Sequence, residues 1–204
     1  MSQINLFNDS QDDSETTKIT NGEYIYMPHF FKPKIADQYL KAFSENIEWK
    51  QEEMLMYGKL IKFPRLTAWY GDNDKPYSFS GIKLVPKPWN KELLEIKDKI
   101  EPKSETQFNS VLLNLYRDGN DSISWHTDAE KELGVNPIIA SVNLGAERKF
   151  QLKHRLTKET IQILLQHGSL LIMKGELQHY WQHQVPKTSL PVSQRINLTF
   201  RVIK

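Results

Sequence analysis

No cysteine occurs among the 204 residues. That absence excludes a disulfide framework, a thiolate nucleophile and a Cys-rich zinc site. There is no apolar run long enough to span a bilayer, so no membrane association is expected. Met1 to Thr20 is polar and acidic and lacks the basic start and apolar middle of a secretory signal. No stretch recurs at a fixed period, which excludes a propeller or solenoid. A cytoplasmic monomer is the expectation from these absences.

What is present suits one domain. A hydrophobic fraction of 39% with 11% aromatics is enough to close a single core at this length. The net charge of +2 hides an asymmetry. Residues 1–20 carry Asp9, Asp12, Asp13 and Glu15 against Lys18, so the remainder is +2 − (−3) = +5. A mildly basic body is compatible with a nucleic-acid partner and equally with an ordinary enzyme.

Residues 1–20 read as a flexible leader and 21–204 as one domain. Within it, residues 21–104 supply helices and hairpins. Glu23 to Phe31 reads as a strand running into a turn. Ile35, Tyr39, Leu40 and Phe43 recur at helical spacing. A second helix is expected over Trp89 to Ile100, with Pro88 at its start, where a missing amide donor costs least. Trp49 to Glu53 is a candidate strand. Met54 to Asp74 follows neither period; its aromatics, interleaved with Lys59, Lys62 and Arg65, read as a nucleic-acid surface or, preferred on composition, as a hairpin packed inward. From residue 105 onward, short Val/Ile/Leu/Phe segments alternate with turn residues: Phe108–Arg117, Ser122–His126, Ile138–Leu144, Lys149–Lys153, Ser169–Met173, Tyr180–Val185 and Gln194–Ile203. Strands at this spacing predict a sandwich or barrel.

The chemistry centres on Ser124-Trp125-His126-Thr127-Asp128. Residues two apart in a strand share a face, so His126 and Asp128 can reach one metal ion. His183, in Trp181-Gln182-His183, offers a third ligand. Two histidines and one carboxylate make the facial triad of non-haem Fe(II) oxygenases, with coordination positions left open. His179 competes for the third place, whereas His154 and His167 are assigned to surface segments.

The last strand alternates strictly. Arg195, Asn197, Thr199 and Arg201 share one face; Ile196, Leu198, Phe200 and Val202 share the other. In Phe108 to Tyr116, the face carrying Asn114 and Tyr116 is the polar one. If these polar faces line a barrel interior, two guanidiniums, two amides and a phenol converge there. Buried arginines need an anion, and a small dicarboxylate binds guanidinium in a bidentate fashion.

With Asn114-Leu115-Tyr116, His126-Thr127-Asp128, Trp181-Gln182-His183 and Arg195-Ile196-Asn197-Leu198-Thr199-Phe200-Arg201 in this order, the sequence resembles the AlkB family of Fe(II)- and 2-oxoglutarate-dependent dioxygenases. Tyr77-Ser78-Phe79-Ser80-Gly81 and Ile139-Ala140-Ser141 add to the resemblance, which runs from about Phe63 to the C-terminus and is nearest the members that repair alkylated DNA. It implies an α+β, mainly β protein: a double-stranded β-helix (jelly-roll) core over 105–204 with flanking helices, and nucleotide-recognition hairpins within 21–104. It implies Fe(II) on His126, Asp128 and His183, with 2-oxoglutarate and O2 as co-substrates. Arg195 and Tyr116 would anchor the far carboxylate of 2-oxoglutarate. Arg201 and Asn114 would hold the end near the metal, and Asn197 and Thr199 would line the same face. Tyr77 and Phe79 match positions lining a base pocket, Glu130 an acid contacting the base, Arg65 a basic residue near a flipped nucleotide, and Tyr57 an aromatic wedge at a hairpin tip. Ala129 departs from the second acid often found there. The implied reaction is oxidative demethylation of 1-methyladenine and 3-methylcytosine, with 2-oxoglutarate and O2 consumed and succinate, CO2 and formaldehyde released. Base-modifying enzymes of this kind take the base out of the stack. The same chemistry on RNA and a non-catalytic jelly-roll metal-binding module remain the alternatives.

Overall fold

A computed structural model describes residues 15–56, 58–72, 77–79, 82–84 and 86–204, with the backbone alone at 54, 56, 77–79 and 82–84. Alternation of apolar and polar residues dictates most of what is seen. β1 (Thr16–Ile19) and β2 (Gly22–Met27) form a hairpin, followed by helix α1 (Pro33–Asn46). β3 (Glu53–Met56) pairs with β4 (Lys59–Lys62), and β5 (Leu66–Gly71) follows. β6 (Tyr77–Phe79) pairs with β7 (Ile82–Leu84), ahead of helix α2 (Lys91–Ser104). The second half holds β8 (Ser110–Tyr116), β9 (Ile123–His126), a 3-10 turn (Lys131–Leu133), β10 (Ile139–Gly145) and β11 (Arg148–His154). It ends with β12 (Thr160–Leu165), β13 (Ser169–Lys174), the short helix α3 (Leu177–Tyr180), β14 (Trp181–Val185) and β15 (Arg195–Arg201).

Two antiparallel sheets carry the architecture. The larger has strand order β1-β2-β13-β10-β15-β8-β5, the smaller β12-β11-β14-β9. This is the expected jelly-roll arrangement. The helices cover the outer face of the larger sheet. Ala36, Tyr39 and Phe43 of α1 and Leu93, Ile96 and Ile100 of α2 join Val111, Leu113, Leu115, Ile196, Leu198 and Phe200 in one core. Between the sheets, Ile139, Leu171, Met173, Phe150, Leu152, Trp181 and Val185 make a second core. The polar residues of β8 and β15 therefore point between the sheets, as their alternation predicts.

Several boundaries differ from the sequence reading. The leader was expected to extend through residue 20, yet Thr16–Ile19 is a strand paired with β2, and Trp181 Nε1 donates to Thr20 O at 2.7 Å. Pairing covers the edge that β2 would otherwise expose; residues 1–14 lie outside the described ones. Helix α2 starts at Lys91, capped by Asn90, whose Oδ1 accepts from Leu93 N at 2.9 Å. It runs through Pro102 to Ser104, because the donor lost at Pro102 leaves only the solvent-side carbonyl of Asp98 without its helical partner. The segment expected to pack inward divides in two. Phe63, Trp69 and Tyr70 are buried, whereas the β3–β4 hairpin stands out with Leu55 and Leu60 each 71% exposed. His154, expected at the surface, is buried and stacked on Tyr180.

This division of the apolar residues gives a stability contrast. Ile96→Ala, which empties a fully buried site on α2, should cost about 3 kcal/mol in urea unfolding. Leu60→Ala on the exposed hairpin should change stability by less than about 0.5 kcal/mol.

Candidate active site

Strand pairing sets the site. His183 of β14 lies directly opposite His126 of β9, so their rings meet at 4.2 Å between centroids. Asp128 follows two residues after His126. The ligand atoms of His126, Asp128 and His183 all lie within 4.8 Å of one another, the one such group among the described residues. His126 Nδ1–H donates to Ser124 O at 2.8 Å, which fixes the tautomer and leaves Nε2 as the free lone pair. His179 lies elsewhere: its Nε2 accepts from Asn136 N.

Electrostatics keep the cluster ready for a cation. Burial would raise the Asp128 pKa, but the adjacent Arg201, with His183 and His126, outweighs it and holds the carboxyl down at about 2. Arg201 Nη2 donates to Asp128 Oδ1 at 2.8 Å. Burial, reinforced by His126 and opposed by Asp128, lowers His183 to about 3, and burial lowers His126 in the same direction. Both imidazoles are thus neutral near pH 7, and neutral imidazole is the ligating form. The donor set suits Fe(II), as two nitrogens and one oxygen leave room for further ligands.

The polar face beside the cluster follows from register. Asn143, Asn197, Asn114 and Thr67 form a row across β10, β15, β8 and β5. One row away, Arg195 lies opposite Tyr116 on one side and Gly145 on the other. Asn114, Tyr116, Arg195, Asn197, Thr199 and Arg201 line one cavity together with His126, Asp128 and His183. Arg195 is 1% exposed. Its Nη2 donates to Asn143 Oδ1 at 2.6 Å and its guanidinium lies 4.9 Å from the Tyr116 ring centre. Among the described residues, its Nε and Nη1 have no hydrogen-bond partner. A buried guanidinium with two idle donors fits a carboxylate ligand, the group expected at the far end of 2-oxoglutarate.

The remaining expected residues divide. Arg65 is buried, its Nε donating to Asn114 Oδ1 at 2.8 Å, so it braces the cavity wall from behind. Glu130 is half-buried just before the 3-10 turn. Tyr57 and the side chains of Tyr77 and Phe79 lie outside the described residues. Three residues of the site were missed in sequence. Ser141 and Asn143 also face the pocket side of β10, and their alternation with Val142 was a usable signal. Gln178 of α3 had none. Its Oε1 accepts from Asp128 N at 2.9 Å and fixes the backbone of the carboxylate ligand across 50 residues.

A pH dependence follows from the depressed histidines. The unfolded chain takes up a proton at His183 as pH falls through 6.5, whereas the folded chain does so only near 3. Stability from this group is therefore present above pH 6.5 and lost on acidification toward 3. In metal-free protein, His183 alone should remove about 2 kcal/mol between pH 6.5 and 5. Urea midpoints measured with chelator across that range should fall in the wild type and fall less in His183→Asn.

The comparisons with known proteins agree with this geometry. The sequence profile of the 2OG-Fe(II) oxygenase superfamily matches residues 23–201. The alpha-ketoglutarate-dependent dioxygenase alkB homolog 3 of Bos taurus and that of Homo sapiens are each 41% identical over 186 residues, 86% of this chain and 64% of theirs. This chain thus spans less than two thirds of their length. The DNA oxidative demethylase ALKBH2 of Mus musculus is 37% identical over 179 residues, covering 82% of this chain and 75% of that protein. The solved structure of OsALKBH1 superposes with a TM-score of 0.60 at 16% identity, over 91% of this chain and 100% of that one, and shares its fold. The profile runs through every strand that carries the His-Asp-His cluster and the arginine face, and the chain belongs to the AlkB family of the 2OG-Fe(II) oxygenase superfamily.

Proposed function

We propose that this protein is an Fe(II)- and 2-oxoglutarate-dependent dioxygenase that demethylates N-alkylated bases, 1-methyladenine and 3-methylcytosine, in DNA. The observation that carries the reading is the joint placement of the His126–Asp128–His183 cluster and the underbonded Arg195 in one cavity. A structural metal site would need no anion-binding guanidinium beside it. DNA as substrate draws support from relatives named DNA oxidative demethylase. It also fits the exposed β3–β4 hairpin, where Lys59 and Lys62 flank Leu60 and Ile61 on an open strand. Lysines there can meet phosphates, and apolar tips can press into a base stack. Tyr57, which follows β3 in sequence, remains the proposed wedge, and Tyr77, Phe79 and Glu130 the proposed base contacts.

His126, Asp128 and His183 would hold the iron. Bound there with 2-oxoglutarate, it supplies O2 activation coupled to decarboxylation of the co-substrate. The chain's own part is positional. Arg195 and Tyr116 receive the far carboxylate, and Asn143 orients the guanidinium. Arg201 and Gln178 hold Asp128 from side chain and backbone. Arg65 fixes the amide of Asn114. The apolar walls, Ile123, Leu112, Phe150 and Val185, keep bulk water from the reacting carbon.

The direct test supplies Fe(II), ascorbate and 2-oxoglutarate to the purified protein. Lesion-bearing DNA and matched RNA are then followed by mass spectrometry. Loss of methyl from DNA is expected; turnover confined to RNA would move the substrate class, since the 2′-hydroxyl is the discriminating group. His183→Ala should abolish turnover while His179→Ala retains it. Arg195→Ala should weaken 2-oxoglutarate roughly tenfold to a hundredfold, with DNA affinity nearly unchanged. Equal losses for both ligands would remove the dicarboxylate assignment.

A further inference from the structure

A second guanidinium, Arg148, stands behind the co-substrate face. It opens β11 and is 3% exposed. Its hydrogen bonds all go to neutral carbonyls. Nη1 donates to Asp118 O at 3.1 Å, and Nη2 donates to Asp121 O at 2.9 Å and to Pro186 O at 2.6 Å. The nearby carboxylate of Asp121 is engaged elsewhere, accepting from Arg117 N, Nε and Nη2. Burying a guanidinium on carbonyls alone is costly, so the position asks for a reason.

The reason lies in what Arg148 touches. Its guanidinium carbon is 5.7 Å from the centre of the Tyr116 ring, the same ring that Arg195 approaches at 4.9 Å. Tyr116 is 2% exposed and lines the cavity, whereas Arg148 is not part of the lining. The three carbonyls belong to two chain segments that lead directly to the metal cluster. Asp118 and Asp121 sit in the turn between β8 and β9, ahead of His126, and Pro186 follows β14, just after His183. The two segments touch each other as well: Thr188 N donates to Gly119 O at 2.9 Å. A Cβ at residue 119 would run into the Thr188 carbonyl, so glycine is required for that approach. Planar, five-donor geometry lets one guanidinium bridge both segments and still stack on a ring, which an ammonium cannot do. Among the described residues, neither Arg148 nor Arg195 has a carboxylate in bonding contact, so this end of the site holds two positive charges around one phenol.

We propose that Arg148 is a positioning residue for the co-substrate: it sets the orientation of Tyr116, and through it the affinity for the far carboxylate of 2-oxoglutarate. This rests on the functional reading above. Two cations approach the ring, so its hydroxyl is aimed before the ligand arrives, and the ordering cost of binding is lowered.

The test is titration of 2-oxoglutarate into Mn(II)-loaded protein without O2, read by calorimetry, with Mn(II) binding measured separately. Arg148→Met should weaken 2-oxoglutarate roughly tenfold and leave Mn(II) affinity within about twofold. Arg148→Lys keeps a cation but loses the fork, and should bind at least about threefold more weakly than wild type. In a Tyr116→Phe background, Arg148→Met should add less than about twofold, because the hydroxyl through which it acts is gone. Equal weakening in both backgrounds, or a parallel loss of Mn(II), would show a general structural role and overturn the proposal. Unchanged affinity in Arg148→Lys would overturn it too. If the wild type takes up Mn(II) but no 2-oxoglutarate, the co-substrate reading itself fails, and this role with it.

Discussion

A carboxylate with 2% of its surface exposed can stay ionised only beside a compensating charge, and the contact between Arg201 and Asp128 provides it. The rest of the site depends on that pair. An ionised Asp128 supplies the anionic ligand that two neutral imidazoles need to attract a divalent cation. The pair also joins the last strand of the larger sheet to the loop after β9 of the smaller one, closing the space between the sheets. With one partner gone, the other would be a buried unpaired charge, which costs several kcal/mol. Gln178 completes the arrangement by taking the Asp128 backbone donor, so the ligand is held from two directions.

The sheet then turns one alternation into a chemical surface. Strands β8 and β15 of the larger sheet put their apolar residues toward the helices and their polar residues toward the smaller sheet. Antiparallel register stacks those polar residues into rows, asparagines in one and Arg195 with Tyr116 in the next. Within the asparagine row, Asn197 Nδ2 donates to Ser141 Oγ and Thr199 Oγ1 to Asn197 Oδ1, so these amides are satisfied by protein. Arg195 is left with idle donors. Selective satisfaction of this kind distinguishes a binding surface from a merely polar interior. Helix packing on the far face holds the sheet rigid enough for the rows to keep their spacing.

Much of this was legible in sequence for a definite reason. Strand periodicity is local, so β8 and β15 could be read with their faces, and His126 and Asp128 could be placed on one side. Elements that failed to read depend on distant partners. β12 carries Ile161, Ile163 and Leu165 in a stretch without turn punctuation, and only its pairing with β11 makes it a strand. β1 looked like leader because three of its four residues, Thr16, Thr17 and Lys18, are polar and exposed; its strand character comes from the edge of β2. His154 looked like a surface residue because its neighbours Lys153 and Arg155 are charged. It is buried by Tyr180 and Trp181, and its Nδ1 accepts from Thr157 N.

The sequence by itself determined the chemical inventory: a two-histidine, one-carboxylate set, a strand with arginines at both ends of its polar face, and no thiol to compete with them. It also determined which face of β8 and of β15 is apolar, because that follows from the chain's own alternation. Tertiary structure decided which residues meet. Only the β9–β14 pairing brings His183 and not His179 to His126. Only the position of α3 hands Gln178 to Asp128, and only the convergence of two loops gives Arg148 its three carbonyls and the Tyr116 ring. These contacts span 27 to 57 residues of chain, and no local pattern encodes a partner at that distance; packing of the two sheets selects it.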